Sequence, residues 1–337
     1  MRVTVRHVAQ LANVSPITVS RVINCHPSVR PQTRKIVEDA MRQLNYHPNR
    51  NARSLASAKS HAIGLIIPIS SEHIFSNPLY TAVIQSVTSF FDQRGYRILL
   101  HTLGMGSDYA ALFHEKWIDG AVLMSIMPGD KGFLNLCVEE FPIVMTSHYS
   151  EEIDVPTVDI ENTQAGYQAV EYLIEMGHKR IALISGPVKL ASCRMRIKGY
   201  MDAHARFGLP VDPNLIIETD FNDVNGYKAM QELLSRTTDI DAVFALSDIQ
   251  AIGAMRALRE AGIQIPEDIS IIGFDGISVT EYLDPSLTTV AQPAYQKGQM
   301  AAEMLLNLIE GKDLETRHVV LPHELVKRAS VRDRRRQ

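Results

Sequence analysis

Six side chains crowd the second half of one short stretch, His7–Asn24, HVAQLANVSPITVSRVIN: Pro16, Ile17, Thr18, Ser20, Arg21 and Asn24. Their types suit a DNA duplex. An arginine fork fits the O6/N7 edge of guanine, and apolar groups such as Pro16 and Ile17 read thymine methyls by contact and by shape. The hydroxyls of Thr18 and Ser20 and the amide of Asn24 hold phosphates, which fixes register without reading sequence.

Such a set works only if a rigid element presents it. Thr4 is placed to cap a first helix whose Val8, Leu11 and Ala12 fall at i, i+3 and i+4. Asn13 suits a left-handed turn. Ser15 then caps a second helix, Pro16 takes its first turn where a missing N–H costs nothing, and Val19, Val22 and Ile23 make its inward stripe. A third helix from Pro31 is expected to bury Ile36, Val37, Ala40, Met41 and Leu44. Each piece is too short to be stable alone, so the three predict a helix-turn-helix, whose second helix enters the major groove with its N-terminal residues at the base edges. With Thr4, Ser15 and Thr33, these side chains form the candidate DNA-contacting set of the opening domain.

Charge agrees. Residues 1–60 carry ten Lys/Arg against two acids, +8, whereas the whole chain of 337 residues is at −4, leaving −12 on the remainder. A basic segment joined to an acidic body is the footprint of a polyanion-binding module.

Beyond residue 60, continuous apolar runs (Ile63–Ile67, Tyr96–Leu100, Ala121–Met124, Ile143–Met145, Ile181–Ile184, Ala242–Leu246, Ile269–Phe274) alternate with amphipathic helices near 78–94, 163–176, 194–207, 224–235, 249–261 and 295–310. Strands of that kind lie in parallel sheets covered on both faces, and two clusters of them predict two Rossmann-like lobes with ligands at the carboxyl ends of the strands.

The stretch from Val8 to Asn24 resembles the helix-turn-helix of the lactose-repressor (LacI/GalR) family of bacterial transcription regulators. So do Thr33-Arg34, Leu44–Asn49, Ala52–Ala56, Gly177–Ala182, Gly273-Phe274-Asp275, Leu287–Val290 and the closing Leu325-Val326-x-Arg328. The resemblance runs in order along nearly the whole chain. His7 stands where the family usually has Asp, which predicts loss of a capping box to Thr4, and Asn13 replaces the usual Gly.

The resemblance implies an all-α helix-turn-helix domain (1–47), a hinge helix (48–60) and an α/β two-lobed, periplasmic-binding-protein-like body for effector binding and dimerisation (61–337). Lobe 1 is expected over 61–160 and 292–318, and lobe 2 over 161–290 and 319–332. In the hinge, Asn49, Ala52, Arg53 and Leu55 match positions that contact the minor groove, Leu55 being the family's wedging leucine. In the cleft, Phe75, Asn77, Arg196, Phe221, Ser247, Asp248, Asp275 and Gln292 match effector-lining positions. The implied protein is a dimeric regulator, a repressor by preference, acting on a palindromic operator under control of a small molecule, with a sugar favoured by Phe75–Tyr80 (F-S-N-P-L-Y) and Arg196. A purine-type corepressor and a plain solute-binding protein are the alternatives.

Other classes find little support. Cys25, Cys137 and Cys193 are odd in number and far apart, as incidental thiols in a reducing cytoplasm would be. No apolar run approaches the ~18 residues of a membrane span. Gly104–Tyr109 follows a strand as a dinucleotide loop would, but Tyr109 takes the third glycine's place, so it reads as a simple loop. HExxH, GxSxG and P-loop motifs are missing, and the twelve His have no metal-ligand spacing, so neither an enzyme nor a cofactor is expected.

Overall fold

The computed structural model describes residues 3–23, 26–46, 59–102, 104, 106–147 and 153–335. Asn24, Asn49, Ala52, Arg53 and Leu55 lie outside them, as does the expected hinge segment except for residues 59 and 60. The chain divides into two compact units, Met1–His61 and Ala62–Gln337.

In the first unit, Thr4 is the N-cap of α1 (Val5–Leu11), and its N–H donates to Nδ1 of His7 at 3.2 Å. The capping box expected to be lost is therefore present, because an unprotonated imidazole nitrogen accepts as a carboxylate would. Asn13 makes the turn at φ +50°. Ser15 then accepts the Thr18 N–H at 3.1 Å and starts α2 (Pro16–Ile23). α3 (Pro31–Gln43) follows, and its Arg34 donates to the carbonyls of Val22 and His26, closing the end of α2. Val8, Ala9, Ala12, Val19, Val22, Val37 and Ala40 form the core. Two expectations fail: Leu11 and Ile36 are exposed. In α1 the inward stripe is Val8, Ala9 and Ala12, so the small alanines let the helices approach and turn Leu11 outward.

The second unit holds two six-stranded sheets. The first has the order β11-β5-β4-β3-β1-β2, all parallel, with β1 (Ala62–Ile66), β2 (Arg97–His101), β3 (Gly120–Leu123), β4 (Ile143–Met145), β5 (Thr157–Ile160) and β11 (His318–Leu321). The second has the order β12-β10-β9-β8-β6-β7, with β6 (Ile181–Ser185), β7 (Ile216–Glu218), β8 (Ala242–Ala245), β9 (Ser270–Asp275), β10 (Thr288–Ala291) and β12 (Glu324–Val326). Only β12 runs antiparallel, against β10. Strands β1, β3, β4, β6, β8 and β9 are buried throughout, as continuous Ile/Val/Ala/Leu runs require.

The helices that cover the first sheet are α4 (Ser71–Ser76), α5 (Pro78–Asp92), α6 (Ala110–His114), α7 (Lys131–Val138) and α12 (Ala294–Ile309); those of the second are α8 (Asn162–Glu175), α9 (Ala191–Arg206), α10 (Asp223–Arg236) and α11 (Asp248–Glu260). Gly166 on α8 and Gly199 on α9 permit contact at backbone distance, since a Cβ on Gly199 would overlap the Thr163 carbonyl oxygen. The chain passes between sheets after β5, after β10 and after β11. The expected end of the first lobe at 318 is thus displaced: Val319–Leu321 pair with Val158–Ile160 and belong to the first sheet, so the last crossing follows Leu321. Tyr109 stands in the loop before α6, as read from the sequence, with its ring fully buried and its hydroxyl donating to Asp130 at 3.1 Å.

Candidate functional site

Two sites follow, one on each unit. On the first, the N-terminus of α2 is built from Ser15 outward. Ser15 Oγ holds both the Thr18 N–H and, at 2.9 Å, the Thr18 hydroxyl. That fixes the first turn and leaves Pro16 and Ile17 projecting, with Ile17 66 % exposed despite its apolar side chain. Arg21 is exposed one turn on, Ser20 and Thr33 are half-buried, and Thr4 and Ser15 are exposed. Ile17 and Arg21, at i and i+4, lie on one helix face opposite Val19 and Val22.

On the second unit, both sheets follow the doubly wound order in which ligands lie beyond the carboxyl ends of the strands. There Asn77, Tyr80, Ser125, Thr146, Asp159, Ser192, Arg196, Phe221, Asp275, Gln292 and Lys297, with Leu79, Val83, Met124 and Leu246, line a cavity. Arg196 projects from α9. Its Nε donates to Asn162 Oδ1 and its Nη1 to the Leu246 carbonyl, both at 2.9 Å, and the guanidinium lies 3.6 Å over the Phe274 ring. These contacts fix the guanidinium at the cavity wall.

Asp275 ends β9 at φ +118°, a backbone conformation that an L side chain adopts only under strain. Its Oδ1 accepts from Gln292 at 2.7 Å and its Oδ2 from Ser247 at 3.1 Å. Burial raises its carboxyl above the ordinary value, and the nearby Arg196 charge opposes that rise. Gln292 Oε1 accepts from Lys297 Nζ at 2.9 Å, and the same ammonium pairs with Asp159 Oδ1 at 2.9 Å. Asp159 Oδ2 in turn accepts from Asn162. A continuous chain of bonds therefore runs Arg196–Asn162–Asp159–Lys297–Gln292–Asp275–Ser247, joining the first and second crossings between the sheets.

Of the sequence-derived effector residues, five line this cavity: Asn77, Arg196, Phe221, Asp275 and Gln292. Three do not. Phe75 sits on α4 with its ring 60 % exposed. Ser247 is buried behind Asp275 and caps α11 by accepting the Ile249 N–H. Asp248, buried beneath the β9 end, accepts from Thr289 at 2.6 Å and from the Ile277 N–H at 2.9 Å, pinning the loop after β9 to β10. Burial first, then the charge of Asp275, raises its carboxyl well above the usual range. Asp159, Lys297, Asn162 and Ser125 were not anticipated, and Tyr80 only as the end of the Phe75–Tyr80 stretch. Tyr80 and Ser125 share a 2.8 Å bond, and burial pushes the Tyr80 phenol up to about 12. Across the mouth, His73 of α4 donates to the Phe221 carbonyl at 2.6 Å, tying one lobe to the other. Among the described residues there is no group of three or more His, Cys, Asp or Glu side chains that could hold a metal ion.

A basic helix-turn-helix with an apolar leading edge, carried on one chain with a two-sheet body that encloses a polar cavity, defines a class: a DNA-binding regulator governed by a small molecule. Residues 4–49 match the model of bacterial regulatory proteins of the lacI family, and 170–331 that of a periplasmic binding protein-like domain. The transcriptional repressor CytR of Escherichia coli (strain K12) is 36 % identical over 98 % of this chain and 96 % of its own length. Among solved structures, a CelR–cellobiose complex superposes with TM-score 0.74 at 34 % identity, covering 98 % of this chain and all of that one. The lac repressor dimer bound to operator and the anti-inducer ONPF gives 0.85 at 28 % identity, with the same coverage. The chain belongs to the lacI family of bacterial regulatory proteins.

Proposed function

We propose that the protein represses transcription from a palindromic operator, binding it as a dimer, and that a neutral sugar in the inter-lobe cavity controls this binding. The observation that carries the reading is the chain of hydrogen bonds that brings Arg196, Asp275 and Gln292 to one cavity, since planar donors and acceptors beside a flat ring, here Phe221, suit pyranose or furanose hydroxyls. In the DNA-binding unit Pro16 and Ile17 read thymine methyls, Arg21 reads guanine, and Thr4, Ser15, Thr18, Ser20, Asn24 and Thr33 hold phosphates. Asn49, Ala52, Arg53 and Leu55 supply the minor-groove contact. The relatives are transcriptional regulators, so the reading is of a regulator rather than an enzyme, acting in the cytoplasm where the DNA lies; no described helix is long and apolar enough to cross a membrane. The relative crystallised with cellobiose favours the sugar over a nucleobase. A thermal-shift screen of sugars, sugar phosphates and nucleobases tests it: a ligand of the folded state raises the Tm by mass action. A neutral sugar is expected to do so and to alter operator affinity; a response to nucleobases alone would replace the sugar with a purine-type effector.

A further inference from the structure

Lys297 is an ammonium buried in a ligand cavity, 5 % exposed, and neither the helix that carries it nor the resemblance to the family accounts for it. It lies on α12 in line with the buried Ala301 and Met304. Two of its three N–H groups are engaged, by Asp159 on β5 and by Gln292 after β10. Lys297 itself lines the cavity with Arg196 and Asp275, so its third N–H is the one a ligand oxygen would take.

The formal charges lining the cavity balance: Arg196 and Lys297 against Asp159 and Asp275. A buried ammonium without a counter-ion would demand an anion from its ligand, because an unpaired charge in a dry site is costly. Asp159 meets that demand from within the protein. Lys297 can then donate to a ligand oxygen while the site as a whole rejects net charge: an added phosphate or carboxylate would enter a cavity already neutral, and face Asp159 and Asp275.

Resting on the effector reading above, we infer that Lys297, neutralised in place by Asp159, is a specificity-determining residue that donates to one oxygen of a neutral vicinal diol. The neighbouring oxygen lies between Arg196 and Asp275. Free sugars and nucleosides share this chemistry. Anionic counterparts are excluded by the charge balance rather than by shape.

The test uses the full chain, with thermal shift and titration calorimetry against ribose, 2-deoxyribose, cellobiose, uridine and ribose 5-phosphate. At least one of ribose, cellobiose and uridine is expected to bind, and which one does identifies the source of the diol. Ribose 5-phosphate is expected to bind at least about tenfold more weakly than the best neutral ligand. Since Lys297→Met alone would strand a buried carboxylate, the informative variant is Asp159→Asn/Lys297→Met, checked for fold by circular dichroism. It should bind the neutral ligand about ten- to a hundredfold more weakly, the equivalent of one hydrogen bond from a charged donor. Asp159→Asn alone, which leaves the lysine charge unbalanced, should shift preference toward ribose 5-phosphate by about tenfold or more. The inference is overturned if no neutral member of the panel binds, if the phosphate binds the unaltered protein best, or if the double variant binds the neutral ligand unchanged. Failure of the regulator reading looks different: DNA binding that no ligand alters, whatever the ranking within the panel.

Discussion

Ile17 is an apolar side chain left in solvent by a helix whose other face is fully packed. Packing gives it no role in the described structure of the first unit, which fits the proposed contact with DNA. Ile17→Ala should weaken operator binding about tenfold and relax base preference at particular positions, while the slope of log affinity against log salt stays unchanged. Competition titrations at three salt concentrations check this; a changed slope with unchanged base preference would make Ile17 part of the phosphate contact. Asp275 supports a prediction about pH. Its carboxyl is raised in the fold, so ionisation is harder folded than unfolded, and the stability it contributes is intact below its ordinary value of 3.8 and declines as pH climbs from there toward the folded-state value. Asp275→Asn escapes that penalty. The difference in Tm between variant and wild type should therefore grow in the variant's favour as pH rises above about 4, then level off; a difference independent of pH would mean that Asp275 ionises freely in its site. Residues of this kind were partly legible. Arg196, Asp275 and Gln292 came through the family resemblance, but Lys297 and Asp159 did not, because their partnership spans 138 positions and a lone lysine in an amphipathic helix reads as solvated. One signal was available: Lys297, Ala301 and Met304 share the i, i+4, i+7 stripe that faces the core.

At the scale of elements, the caps and close approaches decide more than propensity does. The imidazole of His7 does the work of a capping carboxylate, so His7→Ala should cost the first unit about 1 kcal/mol in denaturant melts, while His7→Asp should cost almost nothing. Equal losses in both would show the bond to be incidental. Gly199 lets α9 lie against α8, and α9 carries Arg196. Gly199→Ala must push the helices apart, at about 1–3 kcal/mol in chemical denaturation, with ligand affinity falling as the fork moves. Strands with unbroken apolar runs and helices of thirteen or more residues in the body could be read from periodicity alone. The short pieces β7, α4, α6 and α7 could not, since three to eight residues contain too few turns or alternations to set a period. The same shortness misplaced Val319–Leu321, whose lobe is fixed by pairing with β5 rather than by any local signal. Leu11 and Ile36 erred for a different reason: hydrophobic spacing identifies a stripe but not its edge, and neighbouring alanines set where the contact falls.

For the molecule as a whole, function depends on one chain holding two units of opposite charge: a basic reader and an acidic ligand-binding body. In the body, the bonds from Arg196 to Ser247 tie together two of the three segments that cross between the sheets, and His73 ties the lobes at the mouth. A ligand that bonds to this chain more strongly in one lobe arrangement than in another would shift the equilibrium between them, as an effector must. On the proposed reading, occupancy of this cavity governs sequence-specific DNA binding. The most direct measurement selects duplexes from a random pool with the full chain, then measures affinity for the selected sequence with and without the sugar that raises the Tm. An inverted repeat is expected, with an affinity that the sugar changes by about tenfold or more. Selection of no common sequence, or an affinity indifferent to every stabilising ligand, would contradict it.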